Sequence, residues 1–274
     1  MTRYAVLGDP VAHSKSPLIH SMFARQTGEA VEYASIRVEA SEFAAFVDEF
    51  FAAGGGGLNI TLPHKQAAFA LCDSLSQRAE VARAVNTLLT TDAGTLHGDN
   101  TDGIGLVRDI RHNNSVPIQD QKILLLGAGG AARGALVSLI EAQPEAITVL
   151  NRTLARAQQL QKDVAELFDI EAASYENFQG RGFDLIINAT SMSISGDIPP
   201  LSGHIFASDC CCYDMMYAEE DTVFVKWARQ QGAALALDGL GMLVEQAAES
   251  FYLWRGVRPE TEAVILELRH GSWL

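Results

Sequence analysis

Positive charge is what this sequence has little of. Twenty Lys and Arg stand against 34 Asp and Glu, a net charge of −14 and a pI of about 4.8. That balance argues against nucleic acid as a partner, because neutralising phosphates takes a basic surface. Any anionic ligand has to be met by a few local groups. Long apolar runs are missing as well. No stretch approaches the roughly 18 uninterrupted apolar residues of a membrane span, so no membrane partner is expected. The opening MTRYAVLGDP enters a strand-like run without the apolar segment and cleavage site of a secretory leader, which points to a cytoplasmic location. Cysteine is scarce: Cys72 stands alone and Cys210, Cys211 and Cys212 are contiguous in an apolar run. That is not the spacing of a zinc site, and the four read as buried reduced thiols. The seven histidines form no HExxH-like pair, so no metal is expected.

What is present is an ordinary globular composition, 48% hydrophobic and 20% charged, over 274 residues, enough for about two domains. The second half is organised around residues 122–156, which read as strand, glycine turn, helix and strand. Ile123 to Leu126 is the short apolar run of a buried parallel strand, and Gly127, Gly129 and Ala132 follow in GxGxxA spacing. Gly127 permits the tight turn, Gly129 lets backbone amides approach a pyrophosphate, and Ala132 keeps helix and strand close. Glycines that merely punctuate a turn would look the same, so the second strand decides. Asn151 lies 24 positions after Gly127, where an NAD enzyme carries an acid, and Arg152, Thr153 and Arg156 follow it. A neutral amide flanked by guanidinium groups suits a ribose 2′-phosphate, so NADP is expected over NAD.

The first hundred residues alternate strand and helix. Strands are expected over 4–8, 31–38 and 58–61, and helices over 17–26, capped by Ser16, and 41–53, capped by Ser41. Helical patterns follow Pro63 and span 75–84, extended ones 85–90 and 94–98, and a helix from Asp102 runs to about His112. A small, mostly parallel sheet with packed helices follows. In the second half, helices are expected over 153–168 and 222–232, and strands over 184–188 and 208–213. Amphipathic helices over 241–255 and 260–270 are long enough to pack back on either domain.

Ser14, Ser16, Asn59, Thr61, Lys65, Asn86 and Asp102 fall at strand ends and loop starts, where an open α/β sheet binds its ligand. Each has a plain reading as a cap, a turn residue or a solvated charge. Together, hydroxyls, amides, one ammonium and one carboxylate suit a small polyhydroxylated acid.

HSKSP at 13–17, NITLPHK at 59–65, AVNT at 84–87, GDNTDGIG at 98–105, GAGGAARG at 127–134, NRT at 151–153, NATS at 188–191, YDMMY at 213–217 and DGLGMLVEQ at 238–246 resemble the shikimate dehydrogenase family over nearly the whole chain. The resemblance implies a two-domain α/β protein. Residues 1–103 plus 242–274 would form the substrate domain, on which the C-terminal helices pack, and 104–241 a Rossmann-type NADP-binding domain. It implies reversible NADPH-dependent reduction of 3-dehydroshikimate to shikimate, in aromatic amino-acid biosynthesis, by a monomer or homodimer. Ser14 and Ser16 would hold the substrate carboxylate. Thr61, Asn86, Asp102 and Gln246 would bind hydroxyls, Asn59 would join this set, and Tyr217 would also face the substrate. Lys65 and Asp102 would be the catalytic pair. Gly127, Ala128, Gly129, Gly130 and Ala131 would meet the pyrophosphate, Asn151, Arg152, Thr153 and Arg156 the ribose phosphate, and Met215 and Gly239 the nicotinamide. Two positions depart from the family pattern: Ser193 stands where a glycine is usual and Val223 where a proline is. An NAD-dependent shikimate/quinate dehydrogenase should carry an acid near 151, and a non-catalytic regulator should lack Lys65 or Asp102; this sequence does neither.

Overall fold

In the computed structural model, which describes residues 1–271, the chain divides into two compact units. One comprises Met1–Gly105 and Val244–Leu274, the other Leu106–Leu243. No helix among the described residues is long and apolar enough to cross a membrane.

The first unit runs β1 (Thr2–Gly8), α1 (Ser16–Thr27), β2 (Val31–Arg37), α2 (Phe43–Ala52), β3 (Gly57–Ile60), α3 (Lys65–Leu71), β4 (Ser74–Leu75), α4 (Gln77–Ala82), β5 (Thr87–Thr90) and β6 (Leu96–Asp99). Its six-stranded sheet has the order β2-β1-β3-β5-β6-β4. Strand β1 is parallel to β2 and β3, and β4 is parallel to β6, while β5 is antiparallel to both of its neighbours. The core gathers Ala5, Leu7, Leu58, Ile60 and Leu88 from the strands with Phe43, Val47 and Phe50 from α2. Burying each of the larger side chains contributes roughly 1.5–3 kcal/mol.

Helix α5 (Asp102–Arg108) carries the chain out of this unit and passes into a π-helical turn, Asp109–Asn113, at the end of the segment expected as one regular helix. The second unit continues with β7 (Lys122–Leu126), α6 (Gly130–Glu141), β8 (Ala146–Leu150), α7 (Leu154–Asp163), β9 (Glu171–Ala173), β10 (Phe183–Asn188), α8 (Met192–Ser195), β11 (Phe206–Asp214), α9 (Val223–Gln230) and β12 (Leu235–Leu237). The sheet order β12-β11-β10-β7-β8-β9 is parallel at every pairing. Counted within the unit this is 3-2-1-4-5-6, the doubly wound arrangement whose order reverses between β7 and β10. Apolar strands covered on both faces explain why 123–126 reads as an unbroken hydrophobic run.

Helix α10 (Leu240–Arg255) returns the chain to the first unit, and α11 (Glu262–His270) follows. Phe251 packs edge-on against Phe23 with ring centroids 5.8 Å apart, and the Trp254 indole donates to the Leu88 carbonyl at 3.1 Å. The C-terminal helices thus belong to the first unit's core.

Some local expectations are corrected. Ser16 is the first residue of α1, not its cap; Lys15 holds the cap position in helical conformation, and the Ser14 hydroxyl accepts from the Ser16 amide at 3.3 Å. Ser41 does not cap α2, which begins at Phe43 after Glu42. The residue before each helix, Lys15 or Glu42, already has helical dihedrals, so neither serine sits at the extended cap position from which a side chain reaches an N2 or N3 amide. Leu75 pairs in a short strand because Ser76 makes the actual cap, accepting from the Ala79 amide at 3.2 Å. The helix expected over 153–168 ends at Asp163. Of the thiols, Cys210, Cys211 and Cys212 are buried and Cys72 only partly so; all four are free.

Candidate active site

Parallel strands deliver their C-terminal ends to one edge of a sheet. In the first unit that edge carries the residues after β1, β3 and β6. Strand β5, running the other way, brings its N-terminal end to the same edge, with Thr87 opposite both Asn59 and Asp99. Asn59, Thr61, Asn86, Thr101 and Asp102 are therefore gathered by register from distant parts of the chain. Lys65 opens α3 one short turn after Thr61.

The centre of this cluster is an ion pair. Lys65 Nζ lies 2.6 Å from Asp102 Oδ2, with the two side chains 26% and 16% exposed, so the pair is sheltered yet reachable. The other carboxylate oxygen, Oδ1, accepts from Asn86 Nδ2 at 2.8 Å. Asn86 is itself held on every side. Its second amide hydrogen goes to Thr101 Oγ1 at 3.0 Å, and its Oδ1 accepts from the Thr101 amide at 2.9 Å and from Thr87 Oγ1 at 2.9 Å. Asp102 is thus oriented by a saturated buried amide, and the lysine by Asp102.

The other expected substrate residues fall around the pair to different degrees. Gln246, on α10, meets Thr101 Oγ1 at 3.4 Å, and one turn on Ser250 joins the Asn59–Thr87 network. Asn59 is buried, accepts from the Tyr33 hydroxyl at 2.8 Å and donates to the Asn86 carbonyl at 3.2 Å, so it supports the cluster from below. Thr61 is half-buried with its methyl over Gly8, where an added Cβ would come within 2.4 Å of it. Ser14 and Ser16 stand at the start of α1, where the cap residue Lys15 makes no side-chain cap and the Ser14 hydroxyl takes the Ser16 amide. Tyr217 belongs to the second unit, where it is half-buried, and burial raises its phenol above the ordinary range.

In the second unit the glycine turn leaves β7 beside the end of β8, the Gly127 amide donating to the Leu150 carbonyl at 2.8 Å. Gly127 has φ +102°, and a Cβ there would meet Thr190 Cγ2 at 3.1 Å and the Ala189 carbonyl oxygen at 3.2 Å. Here the fold itself demands glycine. Gly129 and Gly130 differ: Gly129 has φ −89°, and a Cβ on either would meet nothing within 4 Å. Their absence of side chains leaves room over the N-terminus of α6, with Ala131 exposed and Ala128 buried beside them, which fits a pyrophosphate. At the neighbouring strand end, Asn151 Nδ2 donates to the Thr153 carbonyl at 2.8 Å, and Thr153 precedes α7 without a side-chain cap. Arg152 and Arg156 are exposed, and among the described residues neither has an ion-pair partner. Two unneutralised guanidinium groups on a chain of net charge −14 fit a phosphate monoester.

Met215 and Gly239 meet in space: a Cβ on Gly239 would lie 2.4 Å from the Met215 carbonyl oxygen. Beneath them is a group that the sequence motifs contain but that reasoning from residue types passed over. Asp214, fully buried, accepts from Asn188 Nδ2 (3.0 Å) and the Met216 amide (3.1 Å) on Oδ1, and from Ser193 Oγ and Thr222 Oγ1 (both 2.6 Å) on Oδ2. Burial pushes its carboxyl above the ordinary carboxylate range, against the pull of these four donors. The signal was a carboxylate closing an apolar strand run, where no solvent-facing reading was available. Among the described residues no group of three or more His, Cys, Asp or Glu could hold a metal ion.

Residues 6–88 match the family model for the shikimate dehydrogenase substrate binding domain, residues 110–194 that for shikimate / quinate 5-dehydrogenase, and residues 239–268 that for the shikimate 5′-dehydrogenase C-terminal domain. The chain is 52% identical to a shikimate dehydrogenase (NADP(+)) of Cellvibrio japonicus, covering 97% of this chain and 96% of that one. It is 54% identical to its namesake from Aeromonas salmonicida, covering 99% and 98%. An Ael1 enzyme from Pseudomonas putida superimposes with a TM-score of 0.93 at 45% identity, over 98% of each chain. A shikimate 5-dehydrogenase from Thermus thermophilus, in complex with NADP(H) and shikimate, does so with a TM-score of 0.85 at 33% identity, over 98% of this chain and 99% of that one. With both halves of the motif set in place and relatives of this similarity along its whole length, the chain belongs to the shikimate dehydrogenase family.

Proposed function

We propose that this chain is an NADP-dependent shikimate dehydrogenase, reversibly reducing 3-dehydroshikimate to shikimate in aromatic amino-acid biosynthesis. A cytoplasmic location goes with that biosynthetic role. The observation that carries the chemistry is the Lys65–Asp102 pair held by Asn86. NADPH, when bound, supplies the hydride. The ketone oxygen then develops negative charge, and Lys65 stabilises it with its ammonium and gives it a proton. Asp102 fixes the lysine in place and, with Thr61 and Gln246, receives substrate hydroxyls. Ser14 and Ser16, at the start of α1, hold the carboxylate. Asn59 and Asn86, whose amides are engaged inside the protein, act chiefly by keeping this geometry rigid. Tyr217 adds a contact to the substrate.

The residues around the glycine turn would hold the pyrophosphate on the α6 amides, and Asn151, Thr153, Arg152 and Arg156 would hold the 2′-phosphate. Following reduced-nicotinamide absorbance with shikimate or quinate, each against NADP and NAD, tests the reading. Turnover should be fastest with shikimate and NADP. Silence in all four reactions would refute it.

A further inference from the structure

The polar cluster at the ends of β10 and β11 takes no part in the chemistry assigned above, yet its buried carboxyl group, Asp214, accepts four hydrogen bonds. Withdrawing a carboxylate from water is unfavourable unless donors replace the solvent. Here four donors from four different segments do so: Asn188 at the end of β10, Ser193 in α8, Met216 in the turn after β11, and Thr222 at the start of α9. Asn188 extends the network. Its Oδ1 accepts from Thr190 through both the amide (3.1 Å) and the hydroxyl (2.6 Å), and its carbonyl accepts from the Met215 amide at 3.0 Å. Thr190 in turn lies against Gly127.

Ser193 has a particular place in this network. Helix α8 has only four residues, far too few to be stable on its own backbone bonds. The bond from Ser193 Oγ to Asp214 Oδ2 fastens it to the strand ends, and Asn188 Nδ2 adds a 3.3 Å contact to the same hydroxyl. Thr222, at the start of α9, both donates its hydroxyl to Asp214 and accepts from the Val225 amide at 3.2 Å.

We propose that Ser193 and Asp214 form a latch that positions the nicotinamide-side rim of the cofactor site, the segment of Met215 and Gly239, with Ser193 as a positioning residue. The proposal rests on the cofactor reading given under Proposed function and on the place at the nicotinamide that the family resemblance implies for Met215 and Gly239. It needs no contact between Ser193 and the cofactor: the hydroxyl holds α8 on Asp214, and Asp214 holds the turn of Met215 and Met216.

The test compares Ser193→Ala and Ser193→Thr with the unaltered chain. Three quantities are measured: the NADPH dissociation constant by fluorescence, the dissociation constant of adenosine 2′,5′-bisphosphate, which spans only the adenosine end, and kcat/KM for NADPH. Ser193→Ala should weaken NADPH binding and lower kcat/KM by about tenfold, the scale of one lost hydrogen bond to a charged group. Bisphosphate binding should not change, and Ser193→Thr should keep unaltered behaviour. Unchanged NADPH binding and turnover in Ser193→Ala overturns the latch. So does an equal loss of bisphosphate affinity, which would mean general loosening of the domain. If the unaltered chain bound NADPH but turned over no shikimate, the functional reading would fail while the binding comparison still judged the latch.

Discussion

Asp102 divides its carboxylate between two partners, Lys65 at 2.6 Å on one oxygen and Asn86 at 2.8 Å on the other. The lysine is therefore aimed by a carboxylate that is itself fixed. Lys65→Ala should lower kcat by about 10² to 10⁴, the usual range for a general acid, with a smaller change in KM. A change confined to KM in steady-state assays would reduce Lys65 to a binding residue. Asp102→Asn keeps the shape but not the charge, and should lower kcat as well as raise the KM for shikimate.

Arg152 and Arg156 carry the cofactor choice. Replacing both with Ala should raise the KM for NADPH by tenfold or more, about 1.4 kcal/mol per factor of ten, while leaving the KM for NADH nearly unchanged. An unaltered preference ratio would remove them from the phosphate site.

The two glycines of the turn should respond in opposite ways. At Gly129 the backbone tolerates alanine and the methyl meets no protein atom, so Gly129→Ala should leave the melting temperature unchanged and raise the KM for NADPH. At Gly127, with φ +102° and Thr190 and the Ala189 carbonyl in contact distance, alanine should cost about 1–3 kcal/mol of stability. Thermal melts read alongside kinetics separate the two.

His20 gives the fold an acid limit. The ring is fully buried, stacked on Tyr33 at 4.1 Å, and neither nitrogen has a hydrogen-bond partner. Burial lowers its pKa from 6.5 to about 3. The unfolded chain therefore binds a proton below pH 6.5 that the folded chain refuses. The stability due to a neutral His20 is fully present above that pH and declines as pH falls towards 3. By pH 5 the loss should be about 2 kcal/mol. Urea unfolding at pH 7 and pH 5 should show this difference, and His20→Phe, which keeps the stacked ring, should remove most of it.

Much of this molecule could be read from its residues because parallel α/β architecture repeats a simple local pattern. The glycine turn, Asn151 and the residues from Ser14 to Asp102 all lie at strand ends, and strand ends are legible as changes from apolar to polar. What was illegible depends on register and dihedrals. Thr101, Thr87 and Ser250 are ordinary polar letters until strand pairing and α10 set them around Asn86 and Asn59. Ser16 and Ser41 carry the right chemistry for caps, but the backbone before each helix is already helical. Asp214 sat inside a recognised motif, and only the buried donors around it reveal its task.

The hairpin of β5 and β6 works as a ruler with a blank end. Its pairs run from Thr87 with Asp99 to Thr90 with Leu96, and the exposed turn beyond closes through Thr91 and Thr95, with Gly94 at φ +77°. Residues added to that turn leave the pairing intact and Asn86 still reaching Asp102. A slip of one residue in either strand would invert every side chain beyond it. The tip is thus open to insertion or grafting, while the chemistry answers only to the count of residues between the tip and the site.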